Sequence, residues 1–106
     1  MKAQIILNQR QPISENTFVE MVVWSVPSPI FGSIHFFKYR LALVVNGCCV
    51  LRYDNETGKG DHRHVRGKET TYRFVSLVKL RRDFESDVTR CGAKVEEDSE
   101  DSSIGR

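Results

Sequence analysis

The chain has no long apolar run. Nothing in its 106 residues approaches the roughly 20 consecutive apolar positions that a membrane-spanning helix needs. The apolar patch near the N-terminus is Ile5, Ile6 and Leu7, too short for the core of a signal peptide. A cytoplasmic location with no membrane partner is therefore expected. Cysteine is scarce as well. Cys48, Cys49 and Cys91 make no CxxC pair, and neighbours such as Cys48 and Cys49 point to opposite faces of a strand. Reduced, partly buried thiols are expected rather than disulfides. Zinc-finger spacing and an HExxH helix are both missing, and no segment repeats. No cofactor is expected.

A strong charge of one sign is also lacking, since the net charge is only +2. The balance is uneven along the chain, however. Residues 93–106 carry Lys94 and Arg106 against Glu96, Glu97, Asp98, Glu100 and Asp101, a net −3 that leaves +5 on residues 1–92. A basic body can attract a phosphate backbone or an acidic partner. The polar, serine-rich end, 93–106, reads as a disordered acidic tail. What remains, 1–92, has length for one domain with one core and little to spare.

Four strands and a helix can be read from the pattern. Residues 3–13 begin as a strand that frays toward Pro12. FVEMVVWSV, 18–26, is rich in β-branched and aromatic residues and reads as a second strand. Pro27 and Pro29 end it, because they remove ladder donors. FKYRLALVV, 37–45, alternates and reads as a third, central strand. Asn46-Gly47 is the favoured pair for a type I′ hairpin turn, and CCVLRY, 48–53, returns as the fourth. Residues 54–71 lose apolar periodicity and read as a long loop, with room for one short strand near His62 to Val65. The period then changes. Leu77, Leu80, Phe84 and Val88 recur at helical spacing, Ser76 is a candidate N-cap and Gly92 a candidate stop. The expected fold is α+β: an antiparallel sheet of about four strands with a C-terminal helix packed on one face. Exposed strand edges leave a homodimer as one expectation.

The chemistry concentrates in YDNETGKGDHRH, residues 53–64. Loops over about 12 residues in small domains are usually functional or disordered. In an extended segment His62 and His64 project from one face, with Asp61 and Arg63 on the other. Two imidazoles that titrate near neutral pH can act as base and acid. Lys59 and Arg63 are candidates to stabilise phosphate charge. Gly58 and Gly60 let the backbone approach a ligand. Asp54 or Asp61 could orient an imidazole, and Arg73 could reach back toward phosphate. This set suits metal-free RNA cleavage. A divalent cation held by His62, His64 and Asp54 or Asp61 is a second reading. A solvated polar loop is the plain alternative. His35, beside Phe36 and Phe37, reads mainly as a packing residue, and Trp24, Tyr72 and Phe74 as core or interface aromatics.

These residues also carry a resemblance. FKYRLALVVNG, VLRYDNETGKGDHRH and YRFVSLVKLRRDFESDV closely resemble the TumE-type toxins of toxin–antitoxin pairs, over about Ala3 to Val88. The acidic tail and Cys48-Cys49 depart from that pattern without touching the motif. The resemblance implies a toxin silenced by a cognate antitoxin protein, with inhibition of translation through RNA the usual route for such families. Its functional residues map onto Tyr53, Asp54, Asn55, Lys59, Gly60, Asp61, His62, His64 and Arg73. A ribonuclease is one expectation. A non-catalytic module that docks on a target or antitoxin through KGDHRH is the other.

Overall fold

Strand-forming sequence runs from the start of the chain to the threonines at 70 and 71, and the helical period begins only after it. The computed structural model describes residues 2–92. The elements are β1 (Gln4–Ser14), β2 (Thr17–Ser25), β3 (Phe37–Val45), β4 (Cys48–Asp54), β5 (His62–Val65), β6 (Lys68–Thr71) and α1 (Leu77–Arg90). The six strands form one antiparallel sheet in the order of the sequence. The α+β class and the helix are as the pattern predicts, but the sheet has six strands rather than four. The expected tail at 93–106 lies outside the described residues.

The two added strands come from the segment read as a loop. β5 is the short strand allowed for at His62–Val65. β6 has no apolar signal, because all four of its residues are exposed on the sheet edge. A tight turn at Arg66-Gly67 joins them, with φ of 48° and 86°. Arginine rarely takes positive φ, so only Gly67 marked this turn in the sequence.

Asn46-Gly47 makes the equivalent turn between β3 and β4, with φ of 52° and 78°. A Cβ on Gly47 would meet nothing within 4 Å, whereas one on Gly32, also at positive φ, would lie 2.5 Å from the Gly60 amide nitrogen. Gly47→Ala should therefore cost only the left-handed backbone term, about 1–2 kcal/mol. Gly32→Ala should cost clearly more, because backbone must move. Urea melts of the two variants compare them directly, and equal midpoints would contradict the close approach of Gly32 to Gly60.

Alternation along the strands builds two unlike faces. Val19, Met21 and Val23 of β2, Tyr39, Leu41 and Leu43 of β3, and Leu51 and Tyr53 of β4 point to one side and are buried. The stripe of α1 closes over them, with Leu80, Phe84 and Val88 at 1% exposure or less. Phe84 meets the Tyr53 ring edge-on at 5.8 Å. Ser76 caps the helix, its Oγ accepting from the Lys79 amide at 3.1 Å, and Gly92 follows the C-cap at φ 92°. Cys48 and Cys49 prove exposed rather than partly buried, while Cys91 is half-buried. The other face carries Arg40, Ala42, Arg52, Asp54, His62, His64 and Glu69, and no described helix covers it.

Candidate functional site on the open sheet face

Register alone assembles the open face. Arg40 of β3 pairs with Asp54 of β4, which pairs with His62 of β5. One row along, Ala42 pairs with Arg52, Arg52 with His64, and His64 with Glu69 of β6. Residues far apart in sequence thus stand as cross-strand neighbours. His62 and His64 do share a face, with ring centroids 5.9 Å apart. Lys59 reaches the same cluster, its Nζ 3.1 Å from Glu69 Oε2. The Lys59 ammonium, helped by the two neighbouring imidazoles, holds the Glu69 carboxyl below its usual value.

The two histidines differ in access. The His64 side chain is 30% exposed and its Nε2 lies 3.3 Å from Glu69 Oε1. The His62 side chain is only 5% exposed. Its Nδ1 is 3.0 Å from the Gly60 carbonyl oxygen. A carbonyl only accepts, so Nδ1 carries the proton. In the neutral ring Nε2 is then a lone pair, and it stands 3.3 Å from both Asp54 Oδ1 and Glu69 Oε2. Neither contact is aligned as a hydrogen bond, and this buried nitrogen has no hydrogen-bond partner among the described residues. Asp54 is itself anchored by Arg52, whose Nε donates to Oδ2 at 2.5 Å.

Asp61 and Arg63 turn to the helix side. Asp61 Oδ2 accepts from the Tyr39 hydroxyl at 2.7 Å and faces His35 Nε2 at 2.7 Å, while Oδ1 accepts from Ser33 at 2.7 Å. His35 Nδ1 accepts from the Phe37 amide at 3.2 Å, so the His35 proton sits on Nε2 and is donated to Asp61. Asp61 does orient an imidazole, but the imidazole is His35. That ring also stacks on Phe74 at 3.8 Å, in keeping with a packing role. Burial, and then the bond to Asp61, push the Tyr39 hydroxyl far above its ordinary value. Arg63 Nε donates to Asp87 Oδ2 of the helix at 2.8 Å, a bond that raises the guanidinium further.

Several candidate residues are bound internally. Tyr53 is buried, and its hydroxyl donates to Asp87 Oδ2 at 2.6 Å. Asn55 is fully buried. Its amide donates to the Phe37 carbonyl at 2.8 Å and to Ser33 Oγ at 3.1 Å, and its oxygen accepts from the Tyr39 amide at 3.0 Å. Gly60 is buried at φ 84°, packed against Gly32. Arg73 is exposed between β6 and the helix. Glu69 and Arg52, absent from the sequence-based set, complete the open-face cluster. Only their register with His64 reveals them.

A meandering antiparallel sheet with one helix behind it and an ionisable cluster in front defines a small α+β protein. The family model described as Toxin TumE matches residues 3–91, and the chain belongs to that family. It is a toxin of a toxin–antitoxin system, and membership implies a cognate antitoxin as partner. No curated protein and no solved structure matches the chain. Among the described residues no helix is long and apolar enough to cross a membrane.

Proposed function

We propose that this toxin acts on RNA, and that it does so at the open sheet face around His64. The observation that carries the reading is the pair of imidazoles at 5.9 Å on a face that no described helix covers. Arg52, the cross-strand partner of His64, and Lys59 stand beside them, and each would exchange its carboxylate partner, Asp54 or Glu69, for a phosphate. Cleavage would follow the internal route. His64 takes the ribose 2′-hydroxyl proton, the 2′-oxygen bonds to phosphorus, and the 5′-oxygen leaves with the proton that His64 then carries. His64 is the imidazole that a ligand reaches. His62, which is only 5% exposed, acts as a positioning residue through its Nδ1–H bond to the Gly60 carbonyl and its edge contact with the His64 ring.

The test uses the toxin freed from its antitoxin and incubated with total RNA. His64→Ala should lower cleavage by about 10²-fold or more, the usual scale of a lost general acid or base. Lys59→Ala should lower it less. Absence of cleavage by the unaltered protein, or full cleavage by His64→Ala, would remove the enzymatic reading.

A docking module is the second reading. It is favoured by the internal commitment of Asp61, Asn55 and Tyr53, which leaves few free groups for catalysis. Under it, unaltered protein and His64→Ala would arrest growth equally while neither cleaves RNA.

A further inference from the structure

We infer that His62, His64 and Glu69 form a site for one divalent cation of the zinc type. The first observation is the donor set. One ligand atom from each of the three residues falls within 4.8 Å of the others. Two imidazoles and one carboxylate suit a borderline cation such as Zn²⁺, whereas Mg²⁺ and Ca²⁺ favour oxygen ligands.

The second observation is independent and sits on His62. Its side chain is 5% exposed, and Nε2 points at two carboxylates with no hydrogen-bond partner among the described residues. Burying an unsatisfied polar atom is costly. In the neutral ring, the tautomer set by the Gly60 carbonyl turns a lone pair toward those oxygens. A cation satisfies the nitrogen and the Glu69 carboxylate together. The Nδ1–H bond to a backbone carbonyl is also the usual outer support of a metal-binding histidine.

Distance supports the same reading. Zinc bonds to nitrogen and oxygen are roughly 2.0–2.2 Å. A tetrahedron with such bonds spaces its corners roughly 3.3–3.6 Å apart. His62 Nε2 lies 3.3 Å from Glu69 Oε2 and His64 Nε2 lies 3.3 Å from the other oxygen, Oε1, so each imidazole stands at about corner spacing from the carboxylate. With one ligand atom per residue, the set closes from its 4.8 Å span by small side-chain rotations. Lys59 provides the positive charge at Glu69, and its side chain is 61% exposed. It can swing into water when a cation replaces it. Three protein ligands leave a fourth position for water or a ligand oxygen. With the cation bound, His64 is a ligand, so its proton-carrying role belongs to the cation-free protein.

The inference does not rest on RNA cleavage, and its test needs no RNA. Chelator-treated full-length protein is titrated with Zn²⁺ by calorimetry and with Co²⁺ by visible absorption. Exposed Cys48 and Cys49 offer a competing thiol site, so the background is Cys48→Ser, Cys49→Ser. One equivalent should bind, with the intense visible bands of tetrahedral Co²⁺. His64→Ala and Glu69→Gln should each weaken binding by more than about tenfold, since even outer-support losses cost that much. His64 is only partly buried and Glu69 is exposed, so these variants keep the fold that His62→Ala could lose. No binding in the Cys48→Ser, Cys49→Ser background, or binding unchanged in His64→Ala and Glu69→Gln, overturns the site.

Discussion

Asp61→Ala should destabilise the protein by about 3–5 kcal/mol, the range for removing one partner from a buried charged network. The carboxylate takes hydrogen bonds from Ser33, His35 and Tyr39, all at 2.7 Å. Its loss leaves the Tyr39 hydroxyl inside the core with no acceptor. A domain of this size has about 5–14 kcal/mol in total, so the variant should approach unfolding at moderate urea. Asp61→Asn keeps an acceptor at the same place and should lose about half as much, since neutral hydrogen bonds are roughly half as strong. Urea melts followed by circular dichroism measure both. An Asp61→Ala midpoint equal to that of the unaltered protein would mean that the carboxylate is not the hub joining the 31–36 segment to β3.

Phe84→Ala should be at least as damaging, at about 3–5 kcal/mol for a buried phenylalanine truncated in a packed core. Phe84 is fully buried and contacts Tyr53 edge-on. Truncation removes the centre of the helix stripe and loosens the Tyr53–Asp87 bond beside it. Phe84→Leu refills most of the volume and should recover most of the loss. Thermal melts check the order. If Phe84→Ala and Phe84→Leu melt together, the helix does not pack on the sheet through this ring.

The parts that could be read ahead of the structure are those with local causes. Asn46-Gly47 fixes its own turn because both residues accept positive φ. Ser76, the Leu77-Leu80-Phe84-Val88 stripe and Gly92 delimit the helix with signals inside one turn of each other. The same-face placement of His62 and His64 follows from strand alternation alone. What escaped has non-local causes. β6 is exposed throughout, so no apolar period marks it. The His35–Asp61 bond joins residues 26 apart in sequence, and no spacing rule encodes it. Arg63 looked available for phosphate, but alternation sends it to the helix side, where Asp87 holds it. Glu69 entered the site only through its register with His64, and that register depends on a turn at Arg66 that arginine seldom makes.

The order of strands in the sheet has a consequence for biogenesis. Every strand pairs only with its neighbours along the chain, so each pairing closes a short segment and pays little chain entropy. A growing polypeptide can add hairpin to hairpin as it emerges. The pairings that bring the imidazole pair and Glu69 together are complete at Thr71 and do not involve the helix. The face that carries the imidazole pair is therefore built wholly from sequence-adjacent pairings, whereas the apolar side also needs Leu80, Phe84 and Val88 of the helix to bury it.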